Sequence, residues 1–258
     1  MPPASPEKPP GFSAGFSAVF SGFGFLLRTP GSWPYALVPA LLLITLAGSA
    51  TWVSIHFVQP AFEGWFGAPT SWWGRLGAGV VSWLGALLAA ALGVLIALAV
   101  TPPLSGPALE RIVALQEREI GAPPRESLGF LAEMWCGLRA QVAAAMFAGP
   151  LLLLLWVIDL AFAPAAVVTI PLKFLIAAFA LAWNLFDYPL TLRGIGVRQR
   201  LRLVKAHKAA LFGFGLGFAL LFWLPCLGVL LLPVGVAAAT KLAWQLETGA
   251  GGTVTRAR

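Results

Sequence analysis

Charge is what this chain has least of. Only 10% of its 258 residues are Asp, Glu, Lys or Arg, where a soluble domain carries about a quarter, and mean hydropathy is +0.85. A chain so poor in charge cannot wet the outside of a soluble globule, which excludes that class. Histidine is nearly missing too. His56 and His207 are the only two, and neither has a partner at ligand spacing, so no metal site is expected. Two cysteines, Cys136 and Cys226, exclude a disulfide framework and read as buried thiols. The ten-residue alternating segments of a β-barrel are absent, which leaves helices as the spanning solution. No paired acids and no nucleophile with its base sit at membrane depth, so neither a catalytic residue nor a cofactor is expected.

What is present is apolar, 59% of the residues. A helix needs about 20 apolar residues to cross a ~30 Å hydrocarbon core at ~1.5 Å per residue. Residues 35–58 and 76–101 each meet that length and are expected as transmembrane helices, and 140–186 forms a nearly continuous greasy block. The class is an all-α integral membrane protein. The opening residues 1–10, MPPASPEKPP, carry five prolines and no apolar core, and are expected as a loose tail rather than a signal peptide. Residues 248–258 read the same way, leaving 11–247 as one membrane domain.

Lys and Arg in the connections set orientation. Residues 59–75 hold one, Arg75. Residues 102–139 hold four (Arg111, Arg118, Arg125, Arg139), and 187–208 hold six (Arg193, Arg198, Arg200, Arg202, Lys205, Lys208). The two basic connections, the second expected as a basic helix over 187–208, belong in the cytoplasm. Trp65, Trp72 and Trp73 then mark the outer interface, the depth that indole rings favour.

The block 140–186 must leave the cytoplasm and return to it, as two helices broken around Pro164. It carries Asp159 and Lys173, each disfavoured by about 2.5–3.5 kcal/mol at mid-bilayer. A tip at 163–166 brings them near one level, where they either snorkel outward or pair. Residues 209–240 pose the same geometry more sharply. The stretch before Pro225 makes only about 24 Å of helix, short of the core, and Pro225, Gly228 and Pro233 interrupt it. It is expected as a re-entrant hairpin whose tip is covered by protein or faces a wet cavity. The expected architecture is therefore two transmembrane helices plus two half-penetrating hairpins. A bundle of six full crossings is the alternative.

Ahead of the first span, residues 11–29 place Phe12, Phe16, Phe20, Phe23 and Leu27 at helical spacing, an aromatic stripe suited to an amphipathic helix in the interface. In the second span Gly85, Ala89, Gly93 and Ala97 recur every fourth residue, a small-residue face for close packing. GFSAG at 11–15 matches a nucleophile elbow without its strand, acid or histidine, and GFGLG at 213–217 lacks dinucleotide-loop spacing. The basic run 198–208 is read as contact with anionic lipid rather than nucleic acid.

The tract from Asp187-Tyr188-Pro189 through the basic helix to Gly215, Pro225, Pro233 and Thr240 resembles the C-terminal signature of CysZ-type sulfate permeases and the related etoposide-induced membrane proteins. TPPLSGPALERI at 101–112 resembles that family's turn after the second span, and Pro30-Gly31 its approach to the first. The resemblance implies two spans, two hairpins, a homo-oligomer in the bacterial inner membrane, and sulfate uptake. In sulfate-transporting members an arginine pair follows the Pro-Gly step, whereas Ser32, Trp33 and Pro34 follow it here. The anion-binding candidates are accordingly Arg28, Gly31 and Ser32, with Arg193 and Arg198 on the basic segment. The departure keeps a second reading open, a non-transporting membrane scaffold that oligomerises through its hairpins.

Overall fold

A computed structural model describes residues 11–65, 67, 71–123, 129–222 and 227–249, and these are helical almost throughout. In chain order the helices are α1 (Phe12–Arg28), α2 (Trp33–Val53), α3 (Gln59–Trp65), α4 (Trp72–Leu104) and α5 (Gly106–Glu119), then α6 (Phe130–Ala161), α7 (Ala166–Leu192), α8 (Val197–Ala206), α9 (Lys208–Phe222) and α10 (Leu227–Gly249). Among the described residues four helical runs are each long and apolar enough to cross a membrane: Pro30–Trp65, Trp72–Leu104, Gln141–Ala161 and Ala163–Leu192. Contacts divide the chain into two compact units, Val38–Ser105 and the segments on either side of it.

In the unit Val38–Ser105, the first span runs from α2 into α3 through a wider π-helical turn, Ser54–Val58. Pro60 has no N–H to offer the His56 carbonyl. The chain compensates by letting Gln59 N–H reach five residues back to Ser54 O. The turn aims the buried Ser54 hydroxyl at the Ala86 carbonyl of α4. The small-residue face of α4 is where the packing occurs: Gly85 lies under the Phe62 ring, and Gly93 faces Ala50 so closely that a Cβ there would stand 2.6 Å from the Ala50 methyl.

In the other unit α10 is central. Val236, Ala237, Ala238, Ala239, Leu242 and Ala243 are all buried, enclosed by α1, α5, α7 and α9. The turn expected between Pro225 and Pro233 is only partly visible, since Pro225 and Cys226 lie outside the described residues. From Leu227 onward the chain is already helix, and Pro233 sits inside α10 and buried. A proline removes one backbone bond, which a packed membrane helix tolerates.

The aromatic stripe of α1 is only partly its outer face, since Phe16 and Phe23 are half-buried and Phe23 packs on the core. Phe20 is 63% and Leu27 73% exposed, whereas Gly15, Ala18, Val19, Gly22 and Phe25 are buried. Glycines at 15 and 22, seven residues apart, let α9 and α10 approach backbone to backbone, a contact more intimate than rings allow.

The segment 187–208 is two pieces rather than one basic helix. α7 continues through Pro189 to Leu192, the chain reverses at Gly194 in a left-handed conformation (φ 71°), and α8 starts after Gly196. The arms of the first hairpin are also longer than the apolar block 140–186, and a short turn over Ala163–Ala165, holding Pro164, joins them. Beside that turn Asp159 and Lys173 pair, and the Thr169 hydroxyl donates to the same carboxylate. Pairing rather than snorkelling is the outcome because α6 and α7 pack on each other and hold both residues at one level.

Candidate functional site

The step between α1 and α2 is built by proline and serine. Pro30 opens a short 3-10 turn, Pro30–Ser32, and the buried Ser32 sends both its N–H and its hydroxyl to the Thr29 carbonyl, at 2.9 and 2.7 Å. Trp33 Nε1 donates back to Leu26 O at 2.8 Å, tying the first residue after the turn to the last turns of α1. Arg28, in the last turn of α1, and Gly31 are exposed. Of the three candidates on this step, then, Arg28 and Gly31 face outward, and the donors of Ser32 are spent on the turn itself.

Arg193 stands in a different setting, among carboxylates. Its Nε donates to Glu117 of α5 at 2.9 Å and its Nη1 to Glu247 of α10 at 3.1 Å, with the guanidinium 5.3 Å above the Trp244 ring. Two acids around one cation leave local negative charge in a buried place. Burial pushes the Glu247 carboxyl above its usual range, and Arg193 only partly opposes that. Next to this cluster along the chain, Arg200 of α8 is 5% exposed and bonds Asp187 and Thr191 of α7, closing the reversal at Gly194. The Tyr188 hydroxyl donates to Gly106 O at 2.8 Å and ties α7 to the start of α5. Arg198 is exposed on α8.

These contacts, with two more, place five of the signature residues in the packing. Asp187 and Tyr188 anchor the end of α7, where Pro189 is buried; Gly215 of α9 meets the Ala178 carbonyl of α7; Thr240 turns its hydroxyl onto Val236 O at 2.8 Å. Glu117, Trp244 and Glu247 were not singled out by sequence reasoning, since their contact with Arg193 spans 54 and 76 positions and leaves no local spacing. Among the described residues no cluster of His, Cys, Asp or Glu could hold a metal ion.

His207 occupies the corner where α8 and α9 meet at 88°. It is buried, and desolvation lowers its pKa below the ordinary 6.5. A depressed histidine pKa means that the fold prefers the neutral ring, so its stability is complete above 6.5 and falls as pH drops below that value. The thermal midpoint of the purified protein is expected to fall between about pH 7.5 and about pH 5.5. His207→Asn, which cannot gain a proton, should flatten that part of the profile; an unchanged slope would contradict this role.

The model of the family described as sulfate transporter CysZ/etoposide-induced protein 2.4 matches residues 18–233, most of the chain. None of the curated proteins matches it.

Proposed function

The chain belongs to the sulfate transporter CysZ/etoposide-induced protein 2.4 family, and from that premise we propose that it is a membrane permease for a small oxyanion, sulfate foremost. The observation that carries the reading is the extent of the family match, residues 18–233, which runs from within α1 to Pro233 of α10. Four apolar helical runs make the protein multi-pass. In this reading the runs of α2 and α4 span the membrane, α6–α7 and α9–α10 are hairpins, and the protein works as a homo-oligomer in the bacterial inner membrane. A net charge of +7 draws the anion in. The Arg28 guanidinium and the Gly31 N–H then receive it where the first span begins.

The test is uptake of labelled sulfate by proteoliposomes. Uptake should saturate and should exceed that of empty vesicles. Arg28→Gln should weaken apparent sulfate affinity roughly tenfold or more, the worth of one hydrogen bond to a charged group. Arg198→Gln should reduce uptake less, because Arg198 acts only through the field. Arg193 is held by two carboxylates, so its neutralisation acts on the fold and is not a clean test. Uptake equal to empty vesicles under inward and outward gradients would remove the permease reading.

One observation favours a second reading. Where sulfate-transporting members have an arginine pair, Ser32 here satisfies its own turn and Trp33 bonds back to α1. A scaffold that oligomerises through its hairpins and assembles other membrane proteins would need no anion site. It predicts co-purifying membrane proteins and normal growth of a deletion strain on sulfate as sole sulfur source, whereas a permease predicts impaired growth rescued by cysteine.

A further inference from the structure

The α4 surface carries a groove that none of the packing described above uses. It is a shallow, open concavity of about 520 Å³ bordered by Arg75, Leu76, Gly79, Val80, Trp83 and Leu87, all on one flank of the helix. The flank is greasy and open: Leu76, Val80, Trp83 and Leu87 are each more than half exposed. Gly79 makes the dip in its floor, since a Cβ there would meet nothing within 4 Å. One end of the groove is cationic and the rest apolar. Arg75 is exposed, and among the described residues no carboxylate pairs with it. Trp72 and Trp73, three and two residues before it at the same end of α4, have ring centroids 3.8 Å apart.

We propose that this groove binds one anionic phospholipid, with its phosphate on the Arg75 guanidinium and an acyl chain laid along Gly79, Val80, Trp83 and Leu87. Length supports it. From Arg75 to Leu87 the helix rises about 18 Å at ~1.5 Å per residue, close to the ~15 Å depth of one leaflet of a ~30 Å core. Charge supports it as well. A single unpaired guanidinium at the mouth of an apolar channel matches a molecule with one anionic head and a long tail, and indole rings at that end match headgroup depth. A second protein helix would meet the apolar flank equally well but would have to bring a lone carboxylate to Arg75. A zwitterionic lipid carries its own ammonium beside the phosphate and gains less from the site.

Native mass spectrometry of the purified full chain, after incubation with mixed vesicles of phosphatidylglycerol and phosphatidylethanolamine, counts retained lipids. The wild type should retain one more phosphatidylglycerol per protomer than either Arg75→Gln or Gly79→Phe, the second filling the groove while keeping the cation. Arg75 is exposed and a Cβ at position 79 would meet nothing within 4 Å, so neither change should disturb folding. Excess inorganic phosphate should leave the count unchanged; displacement by it would mean a free-anion site and overturn the proposal. Equal retention in all three proteins would overturn it too, and a loss confined to Arg75→Gln would overturn the groove. The proposal stands whether or not the protein moves sulfate.

Discussion

Arg193→Ala is expected to destabilise the folded protein by about 3–5 kcal/mol, because it takes from the buried Glu117 and the half-buried Glu247 the guanidinium they share. Arg193 bonds Glu117 through Nε and Glu247 through Nη1, so α5, the end of α7 and α10 all lose a shared partner. Arg193→Lys should recover little of this, since a compact ammonium cannot bond both acids at once or lie over Trp244 as the planar guanidinium does. The effect has a pH signature. The Glu247 carboxyl already titrates high through burial, and without Arg193 it is raised further. A carboxyl whose folded pKa exceeds its unfolded one helps the fold below the unfolded value and loses that help as pH rises through the folded one. The penalty of Arg193→Ala should therefore grow from acidic to mildly alkaline pH. Arg193→Ala/Glu247→Ala should be more stable at high pH than Arg193→Ala alone, because Glu117 and Glu247 no longer repel each other. Thermal and denaturant unfolding of the detergent-solubilised protein measure all four. A change under about 1 kcal/mol that does not vary with pH would mean the cluster is solvated and not structural.

Much of this architecture is legible in the sequence, and the reason is physical. Apolar length and charge scarcity are sums over many residues, so the helical membrane class, the four long runs and the break at Pro164 survive any local error. The small-residue face of α4 is legible because Gly85 and Gly93 repeat at helical spacing and the partner chain comes back close by. α1 reads less faithfully. Four phenylalanines and Leu27 give the stronger periodic signal, yet the closest contacts are made by the weaker one, Gly15, Val19 and Gly22, because what α9 and α10 need is closeness and not ring area. The Arg193 cluster is illegible for another reason: its members come from three helices, and the net charge of a segment says where a loop sits but not which arginine is already held. Positive-inside counting treats Arg193, Arg198 and Arg200 alike. The structure separates them into one arginine shared by two acids, one exposed and one buried against Asp187.

Gly15→Leu is expected to be the most damaging single change on α1, destabilising by about 3 kcal/mol or more, beyond the usual range for surface helices. A Cβ on Gly15 would overlap the carbonyl of Ala210, which is backbone and has no rotamer to yield. The contact is reciprocal. A Cβ on Gly213 of α9 would overlap the Phe12 carbonyl, and one on Gly22 the carbonyl of Val234 in α10. α1 is thus seated by glycine on α9 and on the central α10, and pushing it off exposes Val19 and Phe25 with it. Glycine disfavours a helix interior by about 0.5–1 kcal/mol relative to alanine, so a helix that retains it at these positions must gain more from the approach than it loses. Gly24→Leu supplies the control on the same helix, since a Cβ there meets nothing within 4 Å. It should be neutral or slightly stabilising by relieving glycine's conformational freedom. Unfolding midpoints of the two variants, and protease cleavage within residues 11–29, should separate them sharply. Equal behaviour would mean that α1 rests on lipid alone, and that its glycines only accompany the aromatic face.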